Sequence, residues 1–323
     1  MTDCIAVQGL EMHFSGCDAL RGIDLTVPQG TVFALLGENG AGKSTLIRIL
    51  TGFQRPTGGS CSVLGLNPNR DSLEIRRRIG YVSDAPALYD WMKVDEIGWF
   101  ASSFYPGNYL ECFRELIARY EVPVNRKIRH LSKGQRAKVA LALAVAHDPE
   151  LLILDEPTSG LDPLVRREFM ESMVERAATG RTVFISSHQI SEVERVADHV
   201  AILHQGRVRM SASLNSLREE VCEVTFGMDD PLSAIPVLGA AAEVLSQEQK
   251  GRQIRWIVRG FDTPHRKEIE AWPGVHSVRS RPATLDEIFV ACTRGMTPSL
   301  ADPDSMLGAS HTAQPDPIDR QAS

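Results

Sequence analysis

Gly37-Glu38-Asn39-Gly40-Ala41-Gly42-Lys43-Ser44-Thr45 lies between an apolar run, Val32-Phe33-Ala34-Leu35-Leu36, and a helix-patterned segment, Leu46-Ile47-Arg48-Ile49-Leu50. The spacing is GxxxxGK[ST], set between strand and helix as that pattern requires. Glycines let the backbone N–H groups of such a loop converge on phosphate oxygens, and the following helix adds its positive end. Lys43 is placed to reach the β- and γ-phosphates of a nucleotide such as ATP, and Ser44 to coordinate Mg²⁺. Gly37, Asn39, Gly40, Ala41, Gly42, Lys43, Ser44 and Thr45 are therefore the expected nucleotide-binding set. A Gly-rich turn before a helix can be purely structural, but Lys-Ser at its end argues for chemistry.

Outward from this loop, the runs Leu151-Leu152-Ile153-Leu154 and Thr182-Val183-Phe184-Ile185-Ser186 are continuously apolar. Strands of that kind belong to a sheet covered on both faces, as in α/β folds. The run at Leu151 ends in Asp155-Glu156, which puts two carboxylates at the carboxyl end of the sheet, where ligands of α/β folds bind. Asp155 is expected to act on Mg²⁺, directly or through water, and Glu156 to orient and deprotonate an attacking water. A lone Asp-Glu at a strand end is ordinarily solvated turn chemistry; the loop upstream gives this one its weight.

The order Leu131-Ser132-Lys133-Gly134-Gln135, then Leu151 to Glu156, then Pro157-Thr158-Ser159-Gly160-Leu161-Asp162, then His188, resembles an ABC ATPase over roughly residues 3–215. The resemblance implies a P-loop NTPase fold with an antiparallel β subdomain and a helical subdomain. It implies that Ser132, Gly134 and Gln135 belong to a signature segment whose helix points at nucleotide held by a second ATP-binding subunit. It further implies that Ser159 to Asp162 lines a dimer interface, that His188 contacts the γ-phosphate, and that Phe14 stacks on adenine. Taken alone, His188 would be a helix-entrance histidine and Phe14 a core residue.

Two positions depart from the family pattern. Asp84 stands where Gln is usual, after Ile79-Gly80-Tyr81-Val82-Ser83; it keeps an acceptor oxygen for Mg²⁺ or water but lacks the amide donor. A turn or N-cap role is the alternative for it. Lys133 stands where Gly is usual in the signature, and would add positive charge toward phosphate.

The 323 residues suffice for one large domain and a smaller one. Residues 1–217 read as the nucleotide-binding domain, with a helical subdomain at about 85–145 that is rich in aromatics from Trp91 to Phe113. A small α/β domain follows at 218–294, with strands at Val221–Phe226, Arg252–Val258 and Val275–Arg281 and helices at Pro264–Ala271 and Thr284–Thr293. Residues 295–323, rich in Pro, Asp and Ser, read as a disordered tail.

Thirty-five Lys and Arg against 41 Asp and Glu leave a net charge of -6, a poor basis for nucleic-acid binding. Six scattered cysteines with no CxxC pair argue against a zinc site or a disulfide framework and fit a reducing compartment. The chain is expected to be neither secreted nor membrane-spanning, and to sit in the cytoplasm on the inner face of the cell membrane. The resemblance implies ATP hydrolysis coupled to transport through a separate permease docked at 85–129, and the form of the signature leans toward bacterial ABC-2 type export. The rival reading is a soluble ABC ATPase acting on the ribosome or DNA; its usual tandem cassettes and coiled-coil or zinc inserts are not in the sequence.

Overall fold

The computed structural model describes residues 3–239 and 241–294. The expected disordered tail, 295–323, lies outside the described residues.

Strands β1 (Asp3–Phe14) and β2 (Cys17–Pro28) form a long antiparallel hairpin, and β3 (Val32–Leu36) leads into the phosphate-loop motif and helix α1 (Lys43–Leu50). β4 (Gly58–Val63) returns to pair with the other edge of β1, giving a three-stranded sheet in the order β2-β1-β4. Helix α2 (Ser72–Arg78) then places Arg76, Arg77 and Arg78 in its last turn, where cations complement the helix dipole. Arg78 also forms a two-pronged pair with Glu150, at 2.7 and 2.9 Å.

After β5 (Ile79–Val82), helices α3 (Val94–Ser102), α4 (Tyr109–Arg119) and α5 (Lys133–Val145) make the helical subdomain. Val94, Ile97, Phe113, Ile117, Val139 and Ala142 fill its core. The aromatics of this stretch divide: Tyr109 and Phe113 are buried, whereas Trp91, Trp99 and Phe104 remain more than 60% exposed.

The central sheet continues with β6 (Leu151–Asp155), α6 (Pro163–Ala178), β7 (Thr182–Ser187), the short α7 (Ile190–Val193), β8 (His199–His204) and β9 (Arg207–Ser213). Its order is β5-β6-β7-β3-β8-β9, parallel except for the last strand. Period-two alternation assigns its two faces. Val32, Ala34, Leu36, Leu152, Leu154, Val183 and Ile185 pack with α5 and α6. Phe33, Leu35, Leu151, Ile153 and Phe184 pack with α1 and the three-stranded sheet. Phe33 and Phe184, neighbours across β3 and β7, stack at 5.7 Å.

Helix α8 (Leu214–Glu220) leads to a four-stranded antiparallel sheet built from β10 (Val221–Met228), β11 (Glu243–Lys250), β12 (Gln253–Arg259) and β13 (Val275–Pro282), in the order β11-β12-β10-β13. Helix α9 (Thr263–Glu270) covers one face, where Phe226, Trp256 and Ile269 form a separate core. Helix α10 (Leu285–Arg294) follows β13, and its Leu285, Ile288, Ala291 and Cys292 join the core that lies beneath the central sheet.

Candidate nucleotide site

The loop after β3 is shaped by two close approaches. A Cβ at Gly37 would sit 2.6 Å from the Leu203 carbonyl oxygen. A Cβ at Gly42 would lie 2.6 Å from the Ala19 carbonyl oxygen, at a backbone φ of +110° that side-chain-bearing residues avoid. Gly42 is also the N-cap of α1, so no side chain caps the first N–H groups of the helix. Those donors are open to an anion. Glu38, Asn39 and Gly40 form the exposed tip, Ser44 is exposed, Thr45 is half-buried and Ala41 is buried.

Lys43 is only 5% exposed, yet its ammonium is well satisfied. It donates to the carbonyls of Gly37 at 2.7 Å and Glu38 at 3.2 Å, and lies 3.0 Å from Glu156 Oε1. The lysine expected to bind phosphate and the carboxylate expected to act as base thus meet. Glu156 Oε2 is 2.7 Å from His188 Nδ1, so one carboxylate bridges a buried lysine and a half-exposed histidine. Glu156 holds a left-handed backbone conformation, φ +48°, which is costly for a side-chain-bearing residue. Its N–H is held by Ser186 Oγ at 3.0 Å and the Ser186 carbonyl at 3.3 Å.

Asp155 is 4% exposed at the end of β6, and Ser186 Oγ donates to its Oδ1 at 2.7 Å. The Tyr81 phenol nearby is raised above its ordinary pKa, first by burial and then by the negative charge of Asp155. A carboxylate buried at a strand end beside an open helix N-terminus and a buried ammonium suits a phosphate-bound Mg²⁺. Ser44 and Asp155 would hold that ion, which would supply neutralisation of phosphate charge.

Phe14, 47% exposed, closes the β1–β2 hairpin. The hairpin abuts the phosphate loop, since Ala19 and Leu20 occupy the space over Gly42. An exposed aromatic ring at the end of the hairpin that borders the loop suits base stacking.

The remaining expected residues lie elsewhere. Ser132 caps α5: its Oγ accepts from the Gln135 N–H at 3.2 Å, and Gln135 Oε1 accepts from the Ser132 N–H at 3.1 Å. This reciprocal capping box fixes the signature turn. Gly134 is buried against Val165 of α6. Among the described residues no hydrogen bond or ion pair joins Leu131–Gln135 to the loop Gly37–Thr45. Asp84 is exposed and lines a cavity of about 380 Å³ together with Lys133, Arg136 and Ser159. Asp84 makes no hydrogen bond and no ion pair among the described residues, with Lys43 or any other partner.

Sequence reasoning passed over Ser186. The signal was available: two serines end an apolar strand, and register places Ser186 beside Asp155. It also passed over the ties behind the site. Thr158 Oγ1 donates to Glu192 at 2.9 Å, Glu192 pairs with Arg166 at 2.7 Å, and Arg166 donates to Gln189 at 2.7 Å. These residues join the turn after Glu156 to the segment after His188.

The family model for ABC transporter matches residues 20–159. An uncharacterized ABC transporter ATP-binding protein of Nostoc sp. is 41% identical over 206 residues, covering 62% of this chain and 61% of that protein's own length. The daunorubicin resistance ATP-binding protein DrrA3 of Streptomyces coeruleorubidus is 33% identical over 307 residues, covering 90% of this chain and 95% of DrrA3. Among solved structures, an ATP-binding subunit of an ABC transporter superposes with a TM-score of 0.62 at 32% identity, over 67% of this chain and 92% of that one.

Proposed function

This chain belongs to the ABC transporter family of ATP-binding proteins, and we propose that it hydrolyses ATP as one half of a dimeric clamp that drives a separate membrane permease. The observation that carries the reading is the meeting of Lys43, Glu156 and His188 at the mouth of the phosphate loop, at 3.0 and 2.7 Å. Lys43 positions the terminal phosphate, Glu156 takes the proton of the attacking water, and His188 orients Glu156 and faces the same phosphate. Ser44 and Asp155 hold Mg²⁺, Asp84 reaches the ion or its water when the cleft closes, and Phe14 stacks on adenine.

The separation of the signature turn from the phosphate loop supports dimerisation. Ser132, Gly134 and Gln135 present an ordered helix N-terminus that no hydrogen bond or ion pair among the described residues joins to the phosphate loop, so they complete the site of a second subunit. ATP joins the two; hydrolysis leaves two charged products that repel and release them.

No described helix is long and apolar enough to cross a membrane. We take the permease to be a separate protein, held by the helical subdomain. Support comes from a cavity of about 340 Å³ bordered by Phe53, Tyr81, Leu88, Tyr105 and His147, and from the exposed rings of Trp91, Trp99 and Phe104. The likeness to DrrA3, a drug-resistance protein by name, along nearly its whole length supports export as the direction, with the cytoplasmic membrane face as the proposed place of action. Glu156→Gln is the test: it should keep ATP binding, trap an ATP-bound dimer and slow hydrolysis by about 10²- to 10⁴-fold. Unchanged turnover would remove Glu156 from the reaction.

A further inference from the structure

The signature turn and the turn that follows Glu156 are joined within one chain by Lys133, which stands where Gly is usual in the signature. Lys133 is the first residue of α5, directly after the capping Ser132. Its side chain crosses to Gly160: a Cβ at Gly160 would meet Lys133 Nζ, with Lys133 Cε at 3.3 Å and Cδ at 3.6 Å. Gly160 has φ +66°, so this part of the turn needs glycine for its backbone, and the bare glycine leaves the space in which the ammonium rests. Among the described residues Lys133 has no carboxylate partner, whereas Arg136, the other cation of the same cavity, is committed to Asp90 at 2.6 Å.

The turn under Lys133 is short and tightly bonded. Ser159 N–H donates to the Glu156 carbonyl at 3.1 Å, and Leu161 N–H to the Thr158 carbonyl at 3.1 Å. A displacement of Gly160 is therefore passed through two hydrogen-bonded turns to Glu156, whose own backbone is already in the sparsely populated left-handed region. We propose that Lys133 is a positioning residue that couples the two sites of the clamp: it ties the signature turn, which engages the partner's nucleotide, to the Glu156 of its own chain. Occupancy of the partner's site then sets the geometry of this one. The proposal rests on the dimer reading.

The test uses the full chain and three variants, Lys133→Met, Lys133→Arg and Gly160→Ala. ATP turnover is measured against ATP concentration, and ATP affinity is measured at protein concentrations too low to dimerise. Wild type should turn over cooperatively. Lys133→Met should move the Hill coefficient toward 1 and lower kcat by about fivefold or more, with monomer ATP affinity unchanged. Lys133→Arg, which keeps the cation, should restore both, and Gly160→Ala should act like Lys133→Met because its methyl displaces the ammonium. Non-cooperative wild-type turnover, or a Met variant that keeps the wild-type Hill coefficient and kcat, overturns the coupling, as does an Arg variant as impaired as Met. Light scattering of Glu156→Gln with ATP reads the dimer itself: absence of a dimer there sinks the functional reading, whereas a dimer without a Lys133 effect sinks only this inference.

Discussion

Ser186 donates its hydroxyl proton to Asp155 at 2.7 Å and accepts the N–H of Glu156 at 3.0 Å, so one side chain orients two adjacent acids. Ser186→Ala frees the Asp155 carboxylate to rotate and leaves the Glu156 N–H on a longer bond to the Ser186 carbonyl. Loss of a hydrogen bond to a buried charge costs about 1–3 kcal/mol. The expected result is lower stability in urea together with a higher Mg²⁺ requirement for ATP turnover. A variant with wild-type Mg²⁺ dependence would reduce Ser186 to a packing residue.

Lys43 should be needed for binding as well as for chemistry, because among the described residues it is the only Lys or Arg side chain paired with Glu156. Lys43→Ala removes a charge-assisted contact of about 1.5–3 kcal/mol, a loss of roughly 10- to 10²-fold in ATP affinity. Equilibrium binding of a fluorescent ATP analogue measures it directly. A hydrolysis defect with intact affinity would confine Lys43 to the transition state.

Asp84 offers an oxygen where the family uses an amide. If it reaches Mg²⁺ or its water, Asp84→Ala should raise the Mg²⁺ concentration needed for half-maximal turnover, and Asp84→Gln should recover part of the loss. Equal, wild-type-like curves for both variants would leave Asp84 as a turn residue.

The small domain carries an acid-sensitive clasp. Glu287 receives Arg281 at 2.6 and 3.0 Å, Arg255 at 2.6 Å and the Thr284 N–H at 2.9 Å. The hydrogen bonds from Arg281 lead in holding its carboxyl down at about 2, below the ordinary 4.5. A carboxyl lowered by folding stabilises the fold fully above its unfolded pKa, and that contribution fades as pH falls from about 4.5 toward 2. Unfolding followed by fluorescence, with Trp256 buried in this domain, should show the loss in that window. Glu287→Gln should be less stable at pH 7 and less sensitive to acid.

The central sheet was legible because its strands are buried on both faces and so read as continuous apolar runs. Leu151–Asp155 and Thr182–Ser187 are buried at every residue. The phosphate loop was legible from its glycine spacing together with Lys43-Ser44 and the apolar strand and helix on either side. β11 was not: Glu-Val-Leu-Ser-Gln-Glu-Gln-Lys has no alternation, because an edge strand exposed along most of its length has no buried face to encode. Nor could the chain order show that Glu156 meets Lys43, since that contact needs β6 folded alongside β7 and β3. The φ of Glu156 and the hydroxyl of Ser186 are likewise products of assembly and leave no local pattern.

Helix α10, the last described element, inserts Leu285, Ile288, Ala291 and Cys292 beneath the central sheet and lies against α7, which starts two residues after His188. The appendage and the catalytic body therefore cannot be exchanged as independent cassettes. A chimera joined near residue 217 that took its final helix from a relative would leave a hole beneath β8 and α7. Lineages recombining such genes would have to inherit both parts together.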